Sequence, residues 1–339
     1  MNKAFKRVNR IENVIFMGTP NFAVPTLLSL ISNEIIPVIP VLVVTRPDKK
    51  RGRGLKLSIS PVKEFCLNHN IPVFQPQNIN NEDAIKKIGS YNPDLIIAAA
   101  YGKIVSQKIL GIPKFGCINL HPSLLPKYRG PSPMNWTLFN GEKETGNTVF
   151  FMTKKMDAGD IIYQSKMKIL PEDNYGSLQK KLSEQGADDV MKAISLIDKG
   201  IAKTIPQDEN LATFSRFIDR DMRKICWTQS AEEITNHIRG LAPYPAAFTY
   251  FQKREIKIIK AKLISDFQGE SGQVLKTVKN KGIIVGTQSG AILLETVKPE
   301  GKKEMSAYAF SLGHPDILSE NKRFGDEHKC PEKEIGTPH

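Results

Sequence analysis

No apolar run in the 339 residues approaches the roughly 18 to 20 that a membrane-spanning helix needs, so no membrane attachment is expected. Glycine is never arranged as Gly-x-Gly-x-x-Gly after an opening strand. Gly18 stands alone in the first turn, behind the apolar residues 13–17, which argues against a Rossmann dinucleotide site. Cysteine is scarce: Cys66, Cys117, Cys226 and Cys330 lack the paired spacing of a zinc site. Two of them lie in apolar segments, where a reduced thiol acts as a small hydrophobe, so neither a metal nor a disulfide is expected. Acids are in deficit, 35 Asp and Glu against 48 Lys and Arg, for a formal charge of +13. That surplus suits a polyanionic partner, through steering and counterion release, although solvated lysines alone would give the same figure.

What is present is the pattern of an α/β protein. Strand, tight turn and helix open the chain at residues 13–31, as in doubly wound domains. Residues 38–45 and 94–100 are apolar on both faces, as buried parallel strands are, with Pro40 weakening the start of the first. Ser60 and Pro61 make a helix start, further helices are expected over 82–88, 132–139 and 175–197, and strands over 148–152 and 161–169. After a stretch without periodicity come a helix over 231–241 and five short strand-like runs between 247 and 297, the pattern of a small barrel of OB type. Between Arg216 and Lys303 this part holds 16 Lys and Arg against 9 Asp and Glu. The expected organisation is a basic lead-in (1–10), a mostly parallel doubly wound domain (11–200), a linker (201–217), an OB-like domain (218–318) and a disordered tail (319–339).

Two stretches carry candidate chemistry. From Arg46 to Lys56 there are six basic residues, Arg46, Lys49, Lys50, Arg51, Arg53 and Lys56, and one acid. Pro and Gly throughout exclude helix and strand, so a mobile cationic loop is expected at the carboxyl end of a strand, where open α/β sheets bind ligands. The second stretch is Asn119-Leu120-His121 at the end of an apolar run, followed by Ser123-Leu124-Leu125-Pro126. Asn119 and His121 point to one face of an extended strand, and an amide buried there costs free energy unless hydrogen-bonded. Asp157, on a later loop between two strand-like runs, can reach a histidine at a neighbouring strand end.

The Asn-x-His pair, the Ser-Leu-Leu-Pro loop and Asp157 before Gly159-Asp160 resemble the folate-dependent formyltransferases. The Pro47-Asp48, Gly52-Arg53-Gly54 and Ser60-Pro61-Val62-Lys63 segments, with Gly301 to Ser306, resemble those members that act on methionyl-tRNA. Lys49 departs from the pattern, which often has Arg there, and would forgo a bidentate hydrogen bond. The resemblance spans about 300 residues, from Asn13 to roughly Ala307. It implies transfer of a formyl group from 10-formyltetrahydrofolate, the donor substrate, to the amino group of methionyl initiator tRNA, for translation initiation, by a cytoplasmic enzyme expected to be a monomer. It implies Asn119, His121 and Asp157 as catalytic residues, with His121 and Asp157 both candidates for the base. Tyr101, Gly102, Ser123, Leu124, Leu125 and Pro126 would line the folate pocket, and the basic residues of 46–56 would meet tRNA. Another folate formyltransferase, a formyl hydrolase or a non-enzymatic nucleic-acid-binding protein are the alternatives. The basic loop and basic barrel argue against the first two.

Overall fold

The computed structural model describes residues 11–32, 38–51, 56–264, 266–319 and 322–325. The lead-in 1–10, Arg53, the side chains of Lys50, Arg51 and Lys56, and most of the tail lie outside what is described. The chain divides into two compact units: Met1–Pro131 with Glu144–Met167 and Gln179–Phe214, and Ser132–Lys143 with Lys168–Leu178 and Ser215–His339. Among the described residues no helix is long and apolar enough to cross a membrane.

The first unit is built on a seven-stranded sheet. Strand β1 (Val14–Gly18) leads through a short turn to α1 (Val24–Ser32), then β2 (Leu42–Val44), a hairpin of β3 (Lys49–Arg51) and β4 (Lys56–Ser58), α2 (Pro61–Asn68), β5 (Val73–Phe74), α3 (Glu82–Ser90), β6 (Leu95–Ala99), α4 (Gln107–Leu110) and β7 (Cys117–His121). Helix α5 (Pro133–Phe139) belongs to the second unit, and β8 (Glu144–Phe151), β9 (Ile161–Lys168) and most of α6 (Tyr175–Asp198) complete the first. The strand order is β5-β2-β1-β6-β7-β8-β9, parallel from β5 to β7 and antiparallel between β7 and β8. Strands β1 and β6 are buried at every position, which is why they read as unbroken apolar runs. The chain turns from one flank of the sheet to the other between β1 and β6, the switch point where such sheets bind ligands.

Two expectations are corrected here. Strand β2 starts at Leu42, not at 38; Pro40 has no N–H to give a ladder, and pairing resumes only with Val41, whose N–H reaches the Val14 carbonyl at 2.9 Å. The cationic stretch is not devoid of strand: Lys49, Lys50 and Arg51 face Ser58, Leu57 and Lys56 in an antiparallel ladder. Proline and glycine exclude pairing only where they stand, and 49–51 and 56–58 contain neither.

In the second unit α7 (Ala231–Leu241) begins at a reciprocal capping box of Ser230 and Glu233. It packs with β10 (Ala247–Phe251), β11 (Arg254–Ile264), β12 (Val274–Val278), β13 (Gly282–Gly286) and β14 (Ala291–Pro299), in the order β10-β11-β14-β13-β12, with β15 (Met305–Ser306) against β14 and α8 (Ala307–Leu312) following. Its apolar core gathers Ile234, Ile238 and Leu241 of α7 with Ile256, Ile258, Ile283, Val285, Ile292 and Leu294 of the strands. The tail expectation fails at 322–325. Phe324 is 1% exposed, with its ring 5.0 Å from that of Phe251 and 5.8 Å from that of Trp227. Its N–H reaches the Gly272 carbonyl at 2.7 Å, and Gly325 N–H reaches that of Tyr250 at 2.9 Å. Through bridges to Phe251 of β10 and to Gln273, the residue before β12, this short segment is held at two places on the sheet, and one buried aromatic supplies the apolar anchor that the surrounding polar sequence lacks. Cys66 and Cys117 are buried free thiols, whereas Cys226 is disulfide-bonded, contrary to expectation; Trp227, the residue after it, is where Phe324 packs.

Candidate active site

Strand β7 ends the parallel run of the sheet, so its last residues emerge at the carboxyl edge beside the switch point. Asn119 lies between Ala98 of β6 and Phe150 of β8 in the ladder, and His121 faces Thr148. The small Ala98 leaves room beside the half-buried Asn119, whose amide has no hydrogen-bond partner among the described residues. Leu120, on the opposite face, meets Gly186 of α6, where a Cβ would come within 2.7 Å of it. The apolar face is thereby sealed by the helix, and the polar face is left for Asn119 and His121.

His121 is 5% exposed. Its Nε2 lies 2.8 Å from the Tyr128 carbonyl; a carbonyl only accepts, so Nε2 carries a proton and Nδ1 is the nitrogen left to face Asp157. Nδ1 is 3.7 Å from Asp157 Oδ2, and the same oxygen accepts a hydrogen bond from Gly130 N–H at 2.8 Å. Asp157 has φ 49° and Tyr128 φ 61°. A residue with a side chain holds that left-handed conformation only where its surroundings impose it. They do: Gln207 Nε2 donates to the carbonyls of Asp157 and Gly159 at 2.9 and 2.8 Å, and Tyr128 N–H donates to Thr213 Oγ1 at 2.9 Å. Gly159 admits no Cβ, which would lie 1.7 Å from the Phe151 carbonyl.

The Ser-Leu-Leu-Pro loop is tied down from within. Ser123, fully buried, donates to the Lys127 carbonyl at 2.7 Å. Thr148 Oγ1 donates to the Ser123 carbonyl and accepts from Leu125 N–H, and Gln164 Nε2 donates to the Leu125 carbonyl. Leu125 is buried with Phe150 and Ile161, whereas Leu124 and Pro126 are half-buried and offer surface. At the end of β6, Tyr101 is buried, and burial pushes its phenol up to about 12. Burial likewise raises the Cys117 thiol to about 12, leaving it inert.

The cationic segment divides. Arg46, counted among residues to meet tRNA, is turned inward: its Nε donates to the Tyr101 carbonyl at 3.0 Å and Nη2 to the Gly102 carbonyl. Gly102 has φ 70°, a backbone conformation that favours glycine. Asp48 pairs with Lys63 at 2.5 Å and accepts from Gln75 at 2.8 Å; the Gln75 hydrogen bond, then that of Lys63, holds its carboxyl below the usual range. Lys49 is exposed.

Sequence reasoning missed the other half of the site. Arg129 is 2% exposed, forked onto Glu209 at 3.0 and 3.1 Å, with Nε on Gln207 at 3.0 Å. Residues 207–213, expected to lie in a linker, are threaded into the first unit. A buried arginine demands acidic or amide partners, but their separation of 78 and 80 residues hid which ones.

Residues 12–194 match the family described as formyl transferase, and residues 218–315 match its C-terminal domain. The methionyl-tRNA formyltransferase of Alkaliphilus oremlandii (strain OhILAs) is 42% identical over 304 residues, 89% of this chain and 96% of that one. Among solved structures, the sugar 3N-formyl transferase WlaRD, determined in the presence of dTDP and 5-N-formyl-THF, is 23% identical with a TM-score of 0.63, covering 86% of this chain and 99% of that one. HypX from Aquifex aeolicus, in complex with tetrahydrofolic acid, is 17% identical with a TM-score of 0.60 over 91% of this chain, which spans 48% of HypX, about half its length. At these identities the two structures show a shared fold. The matches to both formyl transferase domains and to a relative of this similarity along nearly its whole length place the chain in the methionyl-tRNA formyltransferase family.

Proposed function

We infer that the chain transfers the formyl group of 10-formyltetrahydrofolate to the amino group of methionine esterified to initiator tRNA. The observation that carries the chemistry is the convergence of His121 and Asp157 beside Asn119 at the carboxyl end of β7. Attack of a neutral amine on the formyl carbon builds a tetrahedral oxyanion; the amine loses a proton, the bond from that carbon to N10 of the folate breaks, and tetrahydrofolate leaves with the proton returned to N10. Asn119, its amide uncommitted, is the donor for the oxyanion. His121 has Nε2 committed to Tyr128, so Nδ1 is the nitrogen that exchanges a proton. Asp157, fixed by Gly130 N–H, stabilises the ring once it is charged and takes a proton directly or through water. The chain is proposed to act as a monomer.

For the donor, Tyr101, Gly102 and the 123–126 loop border the switch point. Leu124 and Pro126 offer apolar surface to a flat ring, while Ser123 and Leu125, buried and internally bonded, shape the loop. For the acceptor, the basic residues Lys49, Lys50, Arg51, Arg53 and Lys56 supply charge for tRNA, and Arg46 stands before them in the chain. The division of labour proposed is catalysis by residues 11–200, connection by 201–217, and backbone binding by the antiparallel unit 218–318, read as an OB-like barrel whose basic surplus suits phosphate. The compartment is the cytoplasm. The test is label transfer from 10-formyltetrahydrofolate to charged initiator tRNA, with glycinamide ribonucleotide as competing acceptor; preference for the latter would reject the tRNA assignment.

A further inference from the structure

We propose that Gln207 is a positioning residue of the transfer reaction, a clamp whose side-chain amide holds the Asp157 loop against the Arg129 loop and so sets the carboxylate against His121. The bonds form a closed ring. Gln207 Oε1 accepts from Arg129 Nε at 3.0 Å; Arg129 is covalently joined to Gly130; Gly130 N–H donates to Asp157 Oδ2 at 2.8 Å; and the Asp157 carbonyl accepts from Gln207 Nε2 at 2.9 Å. A second bond from Nε2 to the Gly159 carbonyl, 2.8 Å, fixes the far side of the same turn. His121 is attached to the ring through Tyr128, the residue before Arg129, whose carbonyl holds Nε2.

The chemistry of the clamp selects an amide. One end must accept from a guanidinium while the other donates twice to carbonyls, and among side chains of this length only glutamine does both. Arg129 cannot swing away to release it, because its outer nitrogens are forked onto Glu209, a geometry that fixes direction as well as distance. Asp157, at φ 49°, needs such outside restraint to keep its turn. A displacement of about 1 Å in a catalytic group costs on the order of 10²-fold in rate, so the effect expected from a loosened clamp falls on turnover. Gln207 is not placed to touch substrate in this scheme; it acts through Asp157 and His121.

Gln207→Glu and Gln207→Leu separate the roles. Glutamate keeps the acceptor for Arg129 and strengthens that pair, but sets an oxygen against two carbonyl oxygens; leucine keeps volume alone. If the clamp operates, both variants lose kcat by about 10- to 100-fold, with KM for formyl donor and for tRNA within about twofold, and Gln207→Glu keeps the thermal midpoint of the wild type. A residue that merely anchored Arg129 would be replaced by glutamate without loss, so a wild-type kcat in Gln207→Glu overturns the proposal. The proposal rests on the formyl-transfer reading, and a second measurement separates the two. In substrate-free protein labelled with 15N-histidine, the His121 ring signals, assigned by comparison with His121→Asn, report the Nε2-protonated tautomer; they are expected to shift in Gln207→Glu. Unchanged ring signals overturn the clamp, whereas absence of formyl transfer by the wild type in the same preparation overturns the functional reading instead.

Discussion

In the first unit His121, Ser123, Arg129 and Thr148 are buried in one neighbourhood, the carboxyl end of β7 and the loops it meets. The second unit closes instead over Ile234, Ile238, Ile256, Ile283, Leu294 and Phe324. Burying a polar or charged group without partners costs several kcal/mol, and the first unit meets that cost bond by bond: Arg129 with Gln207 and Glu209, Ser123 with Lys127, Thr148 with Ser123 and Leu125. The difference teaches where specificity of geometry resides. A reacting centre needs directional bonds that fix atoms, whereas the surface proposed to meet a phosphate backbone needs only a stable apolar platform beneath its charges. Variants in the two units are accordingly expected to fail in different ways.

The largest effect belongs to the reacting centre. His121→Ala and Asp157→Ala are each expected to lower kcat by about 10²- to 10⁴-fold, with little change in the unfolding midpoint. If the two act in one transition state, as proposed, the double variant should lose little more than either single one. Steady-state kinetics with circular dichroism checks this, and near-normal turnover in His121→Ala would remove the site from the mechanism.

The second unit should break in the opposite sense. Phe324→Ala removes a ring held between Phe251 and Trp227 and is expected to cost about 3 to 5 kcal/mol of that unit's stability. Its kcat, measured well below the midpoint, should stay that of the wild type. Denaturant unfolding beside single-turnover kinetics tests both halves; a midpoint that does not move would mean that 322–325 rests on the sheet without supporting it.

That contrast also sorts what the amino-acid sequence disclosed. The buried strands β1 and β6, the cap of α2 and the approach of Asp157 to His121 were legible because each is a local pattern: an unbroken apolar run, a cap residue at a fixed offset, or a short motif. Phe324 was not, since one aromatic in a polar tail carries no period. Arg129 and Gln207 were not, because a clamp between loops 78 residues apart leaves no local trace. The hairpin of β3 and β4 was obscured by the proline and glycine of the stretch, which exclude pairing only where they stand and leave 49–51 and 56–58 free to form a ladder. The bonds of Arg46 to the carbonyls of Tyr101 and Gly102 were not legible either, since a run of basic residues does not tell which guanidinium turns onto the backbone.

A smaller effect is expected in the hairpin. Replacing Arg51 and Arg53 together with Ala should weaken tRNA binding and reduce the slope of log affinity against log salt by about two, one for each phosphate that is no longer neutralised, with folate binding unchanged. Titrations across a range of ionic strength measure the slope. An unaltered slope would leave tRNA recognition to the antiparallel unit and extend the contrast between the two units to binding itself.

The smallest effect lies at the base of that hairpin. Asp48 is held by Gln75 and Lys63, and these partners depress its carboxyl below the ordinary aspartate range. A group whose folded-state pKa lies below its unfolded value contributes stability that is fully present above the unfolded pKa and is lost as pH falls through the folded one. Wild type should therefore exceed Asp48→Asn by about 1 kcal/mol near neutrality, since the pair with Lys63 is mostly shielded, with side-chain exposures of 15% and 20%. The gap should narrow as pH drops below about 4. Unfolding of both proteins at several pH values isolates this contribution from Glu295 and Asp316 of the second unit, whose carboxyls are also depressed and cancel in the difference. A gap that does not change with pH would mean that Asp48 acts through shape and neutral hydrogen bonding alone, leaving Arg46, on the carbonyls of Tyr101 and Gly102, as the charged group that fastens the hairpin to the sheet.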